Sequence, residues 1–160
     1  MAERHPRPAP PMARDLMKEA RAVVPLGTSV RDAAAALDST GAEAVPVVDS
    51  DGRCVGLFGA GDFRRWAARS GGTAEVVCDW QIVPAPGVPD EVQYHMTRRY
   101  AVAMPEAGVA ELLHRLDAAP DPFLVVLDRQ RRPQGLVSAI DLLRAESVAR
   151  RAARGAAATN

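Results

Sequence analysis

Two short segments of this chain combine a backbone poised to bind anions with side chains able to grip a diol. The fuller one is Ser138-Ala139-Ile140-Asp141, which follows an apolar run and opens an apolar-periodic stretch. At a helix N-terminus the Ser138 hydroxyl can accept an orphan backbone N–H, while the Asp141 carboxylate reaches back and complements the helix dipole. The same geometry suits a ligand. Free N–H groups and the positive end of the dipole favour a phosphate, and a carboxylate there matches the adjacent hydroxyls of a ribose. Capping and ligand binding both stand as readings of these four residues. The second segment, Gly59-Ala60-Gly61-Asp62, keeps the carboxylate but lacks the hydroxyl.

These two segments lie 79 residues apart, and much of the chain repeats at that interval. Residues 17–65 align with residues 96–144 without a gap. Roughly fourteen positions are identical, against about four or five by chance for this composition. Val30 falls on Val109, Leu37 on Leu116, Asp49 on Asp128, Gly56 on Gly135, Leu57 on Leu136, Asp62 on Asp141 and Arg65 on Arg144. Each copy opens with a short apolar strand, 22–24 in the first and 101–104 in the second. An amphipathic helix follows. Val30, Ala33, Ala34 and Leu37 form its stripe in one copy, and Val109, Leu112, Leu113 and Leu116 in the other. Two strands then flank a turn: VPVVD and CVGLF around SDGR, and FLVVLD and PQGLV around RQRR. Gly52 tolerates positive φ, and the aspartates can bond nearby amides. A closing helix begins near Asp62 and near Asp141. The predicted fold is mixed α/β (α+β), two β-α-β-β-α units. About 50 residues cannot bury a sufficient core alone, so the units must pack against each other with pseudo-twofold symmetry and leave clefts along the seam.

With both copies in register, the pattern of an apolar strand, an amphipathic helix, Val45-Pro46-Val47-Val48-Asp49 with Gly52 and Gly56, and then Asp62 resembles the paired CBS domain family. The second copy carries Val126-Leu127-Asp128, Gly135 and the full Ser138-x-x-Asp141. The resemblance covers about residues 13–147 and implies a stand-alone pair, or Bateman module. The implied function is regulatory and non-enzymatic: an adenosyl effector (AMP, ADP, ATP, NAD or S-adenosylmethionine) binds between the two motifs, and no cofactor is required. It also implies a homodimer and a separate regulated protein as partners.

Carried over residue by residue, the resemblance assigns a first cleft to Met17, Ala22, Glu43, Ala44 and Val45 with Ser138 and Asp141. A weaker second cleft would combine Met96, Ala101, Pro122, Phe123 and Leu124 with Gly59 and Asp62. Gly59 stands where the family prefers Ser or Thr, and Pro122 and Val125 depart from the family pattern, with Phe123 positioned to fill the space. Glu43 is either an acceptor for an adenine amine or a solvated loop charge. A ligand-free interaction scaffold with degenerate clefts is the alternative reading.

Along the chain, residues 1–12 read as a disordered proline-rich tail, 13–69 as the first unit, 70–91 as a linker, 92–147 as the second unit and 148–160 as the end of a helix that frays after Arg154. Within the linker, residues 74–83 suggest an extended run, and Asp90-Glu91 begins a short helix through His95. Twenty basic and twenty acidic residues give zero net charge, which supplies no general attraction for nucleic acid or anionic membrane. The basic residues near the C-terminus, Arg144, Arg150, Arg151 and Arg154, are interleaved with Asp141 and Glu146 and read as a solvated face. Cys54 and Cys78 are too few for a disulfide framework, and neither they nor His95 and His114 show metal-ligand spacing. No apolar run reaches 18 residues and the N-terminal segment lacks an apolar centre, so a cytoplasmic protein without a membrane span is expected. No catalytic signature such as G-x-S-x-G or a P-loop occurs.

Overall fold

A computed structural model describes residues 9–70 and 86–158. The extended run expected at 74–83, with Cys78 and Trp80, lies outside the described residues, as do the first eight residues of the tail.

Each half repeats one order of elements. The first contains α1 (Ala13–Leu16), β1 (Lys18–Glu19), β2 (Val24–Pro25), α2 (Val30–Thr40), β3 (Ala44–Val48), β4 (Cys54–Gly59) and α3 (Ala60–Arg69). The second contains a 3-10 turn (Val92–Tyr94), β5 (Ala101–Ala103), α4 (Val109–Asp117), β6 (Phe123–Leu127), β7 (Pro133–Ser138) and α5 (Ala139–Ala157). The predicted β-α-β-β-α unit is therefore present twice. The first strand is shifted relative to expectation: β2 begins at Val24, leaving Ala22 in irregular chain. Of the short helix expected from Asp90 through His95, a 3-10 turn forms at Val92–Tyr94. The C-terminal helix persists to Ala157, past the expected fraying point. Its last turns are rich in alanine, the strongest helix former, and Arg150 pairs with Glu146 one turn back.

In each half the helix stripe packs on a small sheet. Val30, Ala33 and Ala34 of α2 are buried with Val45, Val47, Phe58 and Trp66. Leu112 of α4 is buried with Leu124, Val126, Val137 and Leu142. The opposite sheet faces meet in a third cluster, where Ala44, Cys54 and Leu57 lie against Val125, Leu127 and Leu136. Both sides of the central strands are thus dry, which explains their unbroken apolar runs.

The repeated aspartates hold the hairpins. Asp49 Oδ1 accepts the N–H groups of Asp51 and Arg53, and Asp128 Oδ1 accepts those of Gln130 and Arg132, all at 2.8–2.9 Å. The left-handed turn position is Gly52 in one hairpin, with φ 78°, and Arg131 in the other, with φ 63°.

The halves exchange their leading segments. Ala13 N–H donates to Ala107 O at 2.8 Å, and its counterpart Val92 N–H donates to Thr28 O at 2.8 Å. β1 pairs antiparallel with β7, Lys18 opposite Leu136, giving a four-stranded sheet β1-β7-β6-β5 beside the three-stranded β2-β3-β4. Thr97 and Leu57 exchange both backbone hydrogen bonds at the matching place in the first half. Reciprocal contacts of this kind are what a twofold relation requires. They also account for two repeated residue types. A Cβ on Gly135 would meet Lys18 O at 2.5 Å and Met17 Sδ at 2.9 Å, and one on Gly56 would meet Met96 Sδ at 2.5 Å. Each methionine lies over the other half's glycine, and only glycine lets the chain approach so closely.

Candidate functional site: a cleft between the halves

The exchanged segment forms one wall of a cleft of about 490 Å³. After β1 the chain crosses from the second half back to the first, and residues 18–22 line the opening. Residues 40–46, from the end of α2 into β3, form the facing wall. Leu136, Ser138 and Asp141 of the second half close the base. A volume in this range suits a small organic ligand.

Six of the seven residues assigned to the first cleft from sequence meet here: Ala22, Glu43, Ala44, Val45, Ser138 and Asp141. Met17 does not line it. Its side chain lies over Gly135, in the core of the second half. Lys18, Arg21 and Thr40 line the cleft and were not singled out from sequence. The repeat offered no guide to the two cations, because their counterparts are Thr97 and Tyr100. Thr40 turns its hydroxyl to the carbonyls of Ala36 and Leu37 and so serves the helix end.

Ser138 and Asp141 share one hydroxyl between two tasks. Ser138 Oγ accepts the Asp141 N–H at 3.2 Å, capping α5, and donates to Asp141 Oδ2 at 2.7 Å. Lys18 Nζ stands 3.9 Å from the same carboxylate oxygen. Oδ1 takes no hydrogen bond from the described residues, and the side chain is 17% exposed. The capping reading therefore holds, and it leaves an oriented, partly sheltered carboxylate with unused acceptor capacity beside a helix N-terminus. Such a group can take two neighbouring hydroxyls.

The residues assigned to the second cleft are not assembled in the same way. Asp62 is only 5% exposed. Its Oδ2 accepts the Gly59 N–H at 2.9 Å, and its Oδ1 accepts the Thr97 hydroxyl at 3.0 Å and pairs with Arg65. Without a hydroxyl at position 59 the carboxylate itself caps α3, and both of its oxygens are engaged. Phe123 packs into the inter-sheet cluster, and the Pro122 carbonyl accepts the first N–H of α5 at 2.8 Å. The groove on this side, about 620 Å³, is lined by residues 99–102, by Glu111, His114 and Arg115 of α4, and by 118–120. Ala101 belongs to it, whereas Gly59, Asp62, Pro122 and Phe123 do not. Tyr100, which lines this groove, donates its hydroxyl to the Cys54 carbonyl at 3.3 Å. Burial, reinforced by the neighbouring Cys54, raises the Tyr100 hydroxyl well above its ordinary range, and burial likewise raises the Cys54 thiol.

The CBS domain model matches residues 13–69 and 90–148. The chain belongs to the CBS domain family. Its fold is similar to that of CBSX2 solved in complex with AMP, at 19% identity and a TM-score of 0.65, over 88% of this chain and 98% of that one. It is likewise similar to the CBS domain pair of protein MJ0100, solved with 5′-methylthioadenosine and S-adenosyl-L-methionine, at 20% identity and a TM-score of 0.65, over 83% and 97%. The CBS-domain protein ATU1752 from Agrobacterium tumefaciens matches at 21% identity and a TM-score of 0.64, over 84% and 92%. No curated protein matches the sequence. Among the described residues no helix is long and apolar enough to cross a membrane.

Proposed function

We propose that this chain is a non-enzymatic regulatory module that binds one adenosyl compound in the cleft between residues 43–46 and the Ser138/Asp141 pair. The observation that carries this is the state of the Asp141 carboxylate, held by Ser138 yet with an oxygen turned to a cleft of ligand size. In this reading Asp141 accepts the ribose hydroxyls, and the start of β3 receives the base. Two solved proteins of the same fold are described in complex with adenosyl compounds, which supports the ligand class. The cleft draws its walls from both units, taken as residues 13–69 and 92–147, so an occupant links them. A ligand that fits one arrangement of the halves better than another shifts the population toward it. A homodimer carrying that shift to a regulated protein completes the proposal.

The alternative, a ligand-free scaffold, draws support from the second side alone, where Asp62 is already satisfied. The two readings therefore divide between the two sides, and binding should saturate at one ligand per chain. Thermal melting against millimolar AMP, ADP, ATP, NAD and S-adenosylmethionine tests the proposal. At least one should raise Tm for the native protein and fail to do so for Asp141→Ala, while Asp62→Asn, though less stable, should retain the shift. A uniform absence of any shift would overturn it.

A further inference from the structure

Resting on that reading, the charges around the cleft narrow the ligand further. The lining carries two cations, Lys18 and Arg21, and three carboxylates, Glu19, Glu43 and Asp141. Lys18 is already drawn toward Asp141, at 3.9 Å. That leaves Arg21, which is exposed, against Glu19 and Glu43, which are exposed as well. The lining is thus net negative by one charge. A polyphosphate reaching out of the cleft would pass two carboxylates with one uncommitted cation to meet it, and like-charge juxtaposition in a binding site is unfavourable.

We propose that the cleft selects an adenine nucleoside bearing no more than one phosphate, and that Glu19 and Glu43 are the residues that discriminate against polyphosphates. A single phosphate is met by Arg21. A neutral or cationic 5′ substituent needs neither. Each further phosphate adds negative charge near Glu19 and Glu43 with no matching cation on the lining.

Calorimetric titration of the full chain with adenosine, AMP, ADP and ATP, at low ionic strength and with a chelator present so that the nucleotides stay metal-free, tests this. Affinity should fall from AMP through ADP to ATP, with ATP at least about tenfold weaker than AMP. Because exposed charges act within a Debye length, raising the salt should narrow the gap. The double variant E19Q/E43Q should narrow the ratio of AMP to ATP affinity, a ratio that a general change in base binding would leave unmoved. ATP binding as tightly as AMP would overturn the charge argument while leaving the adenosyl site intact. A gap that persists unchanged in E19Q/E43Q would assign the discrimination to shape and overturn it equally. Failure of all four to bind would overturn this inference, while a rise in Tm with NAD or S-adenosylmethionine would leave the adenosyl reading standing.

Discussion

Replacing Gly135 with alanine tests the exchanged segment that forms one wall of the cleft. The new Cβ would sit 2.5 Å from the Lys18 carbonyl oxygen, where ordinary contact begins near 3.4 Å. Met17 Sδ and Cγ at 2.9 and 3.0 Å block escape on the other side. Backbone must therefore retreat by about 1 Å, in a strand only two residues long. Overpacking of this kind costs about 1–3 kcal/mol, and loosening the short β1–β7 ladder adds about 1 kcal/mol. With about 2–4 °C of Tm per kcal/mol in a domain of this size, the melting temperature should fall by roughly 4–16 °C. Gly56→Ala is the internal control. Its tightest neighbour is the flexible end of Met96, and the backbone oxygen of Thr97 stands farther off at 3.1 Å, so the cost should be nearer about 1 kcal/mol. Urea unfolding monitored by circular dichroism reads both. Gly135→Ala within about 0.5 kcal/mol of the native protein, or no costlier than Gly56→Ala, would refute the reasoning.

Arg131→Gly should stabilise the protein by about 1 kcal/mol in the same assay, because it relieves a non-glycine residue at φ 63° where the repeat has Gly52. Ser138→Ala should cost about 1 kcal/mol through loss of the α5 cap and also weaken any ligand of the cleft, since Asp141 loses its orienting hydroxyl. Gly59→Ser should not create the matching site in the first half: its Cβ would stand 3.0 Å from the Glu43 carbonyl, and a melt should show no gain in stability. Burial raises the Cys54 thiol above its value in the unfolded chain, so its contribution is fully present below the ordinary thiol range and is lost as pH rises beyond it. Stability measured across that range should decline from about pH 8.5 upward, and less so in Cys54→Ala.

Much of this fold was legible because the repeat doubled every signal. Stripes such as Val30, Ala33 and Ala34 recur at Val109 and Leu112, and the Asp49 and Asp128 turns confirm one another. The exchange of leading segments was not legible. β1 holds two residues, and its pairing with β7 spans more than a hundred residues of sequence, so no local pattern announces it. The methionine and glycine pairs of the repeat were visible as identities, but nothing in the sequence says that Met17 lies over Gly135 rather than in the cleft. For the site, the hydroxyl and carboxylate of Ser138 and Asp141 were readable from their four-residue spacing. The satisfaction of Asp62 by Thr97 and Arg65 depends on a contact across 35 residues and appears only in three dimensions. Lys18 and Arg21 were not legible as cleft residues, because surface cations are common and their role depends on which wall they line.

The most direct measurement is a crystal structure of the protein grown with AMP. The nucleoside should lie between residues 43–46 and Asp141, with its ribose hydroxyls on the Asp141 carboxylate and its phosphate toward Arg21. A nucleotide seated instead in the groove beside His114 and Arg115, or a cleft left empty at millimolar AMP, would contradict it.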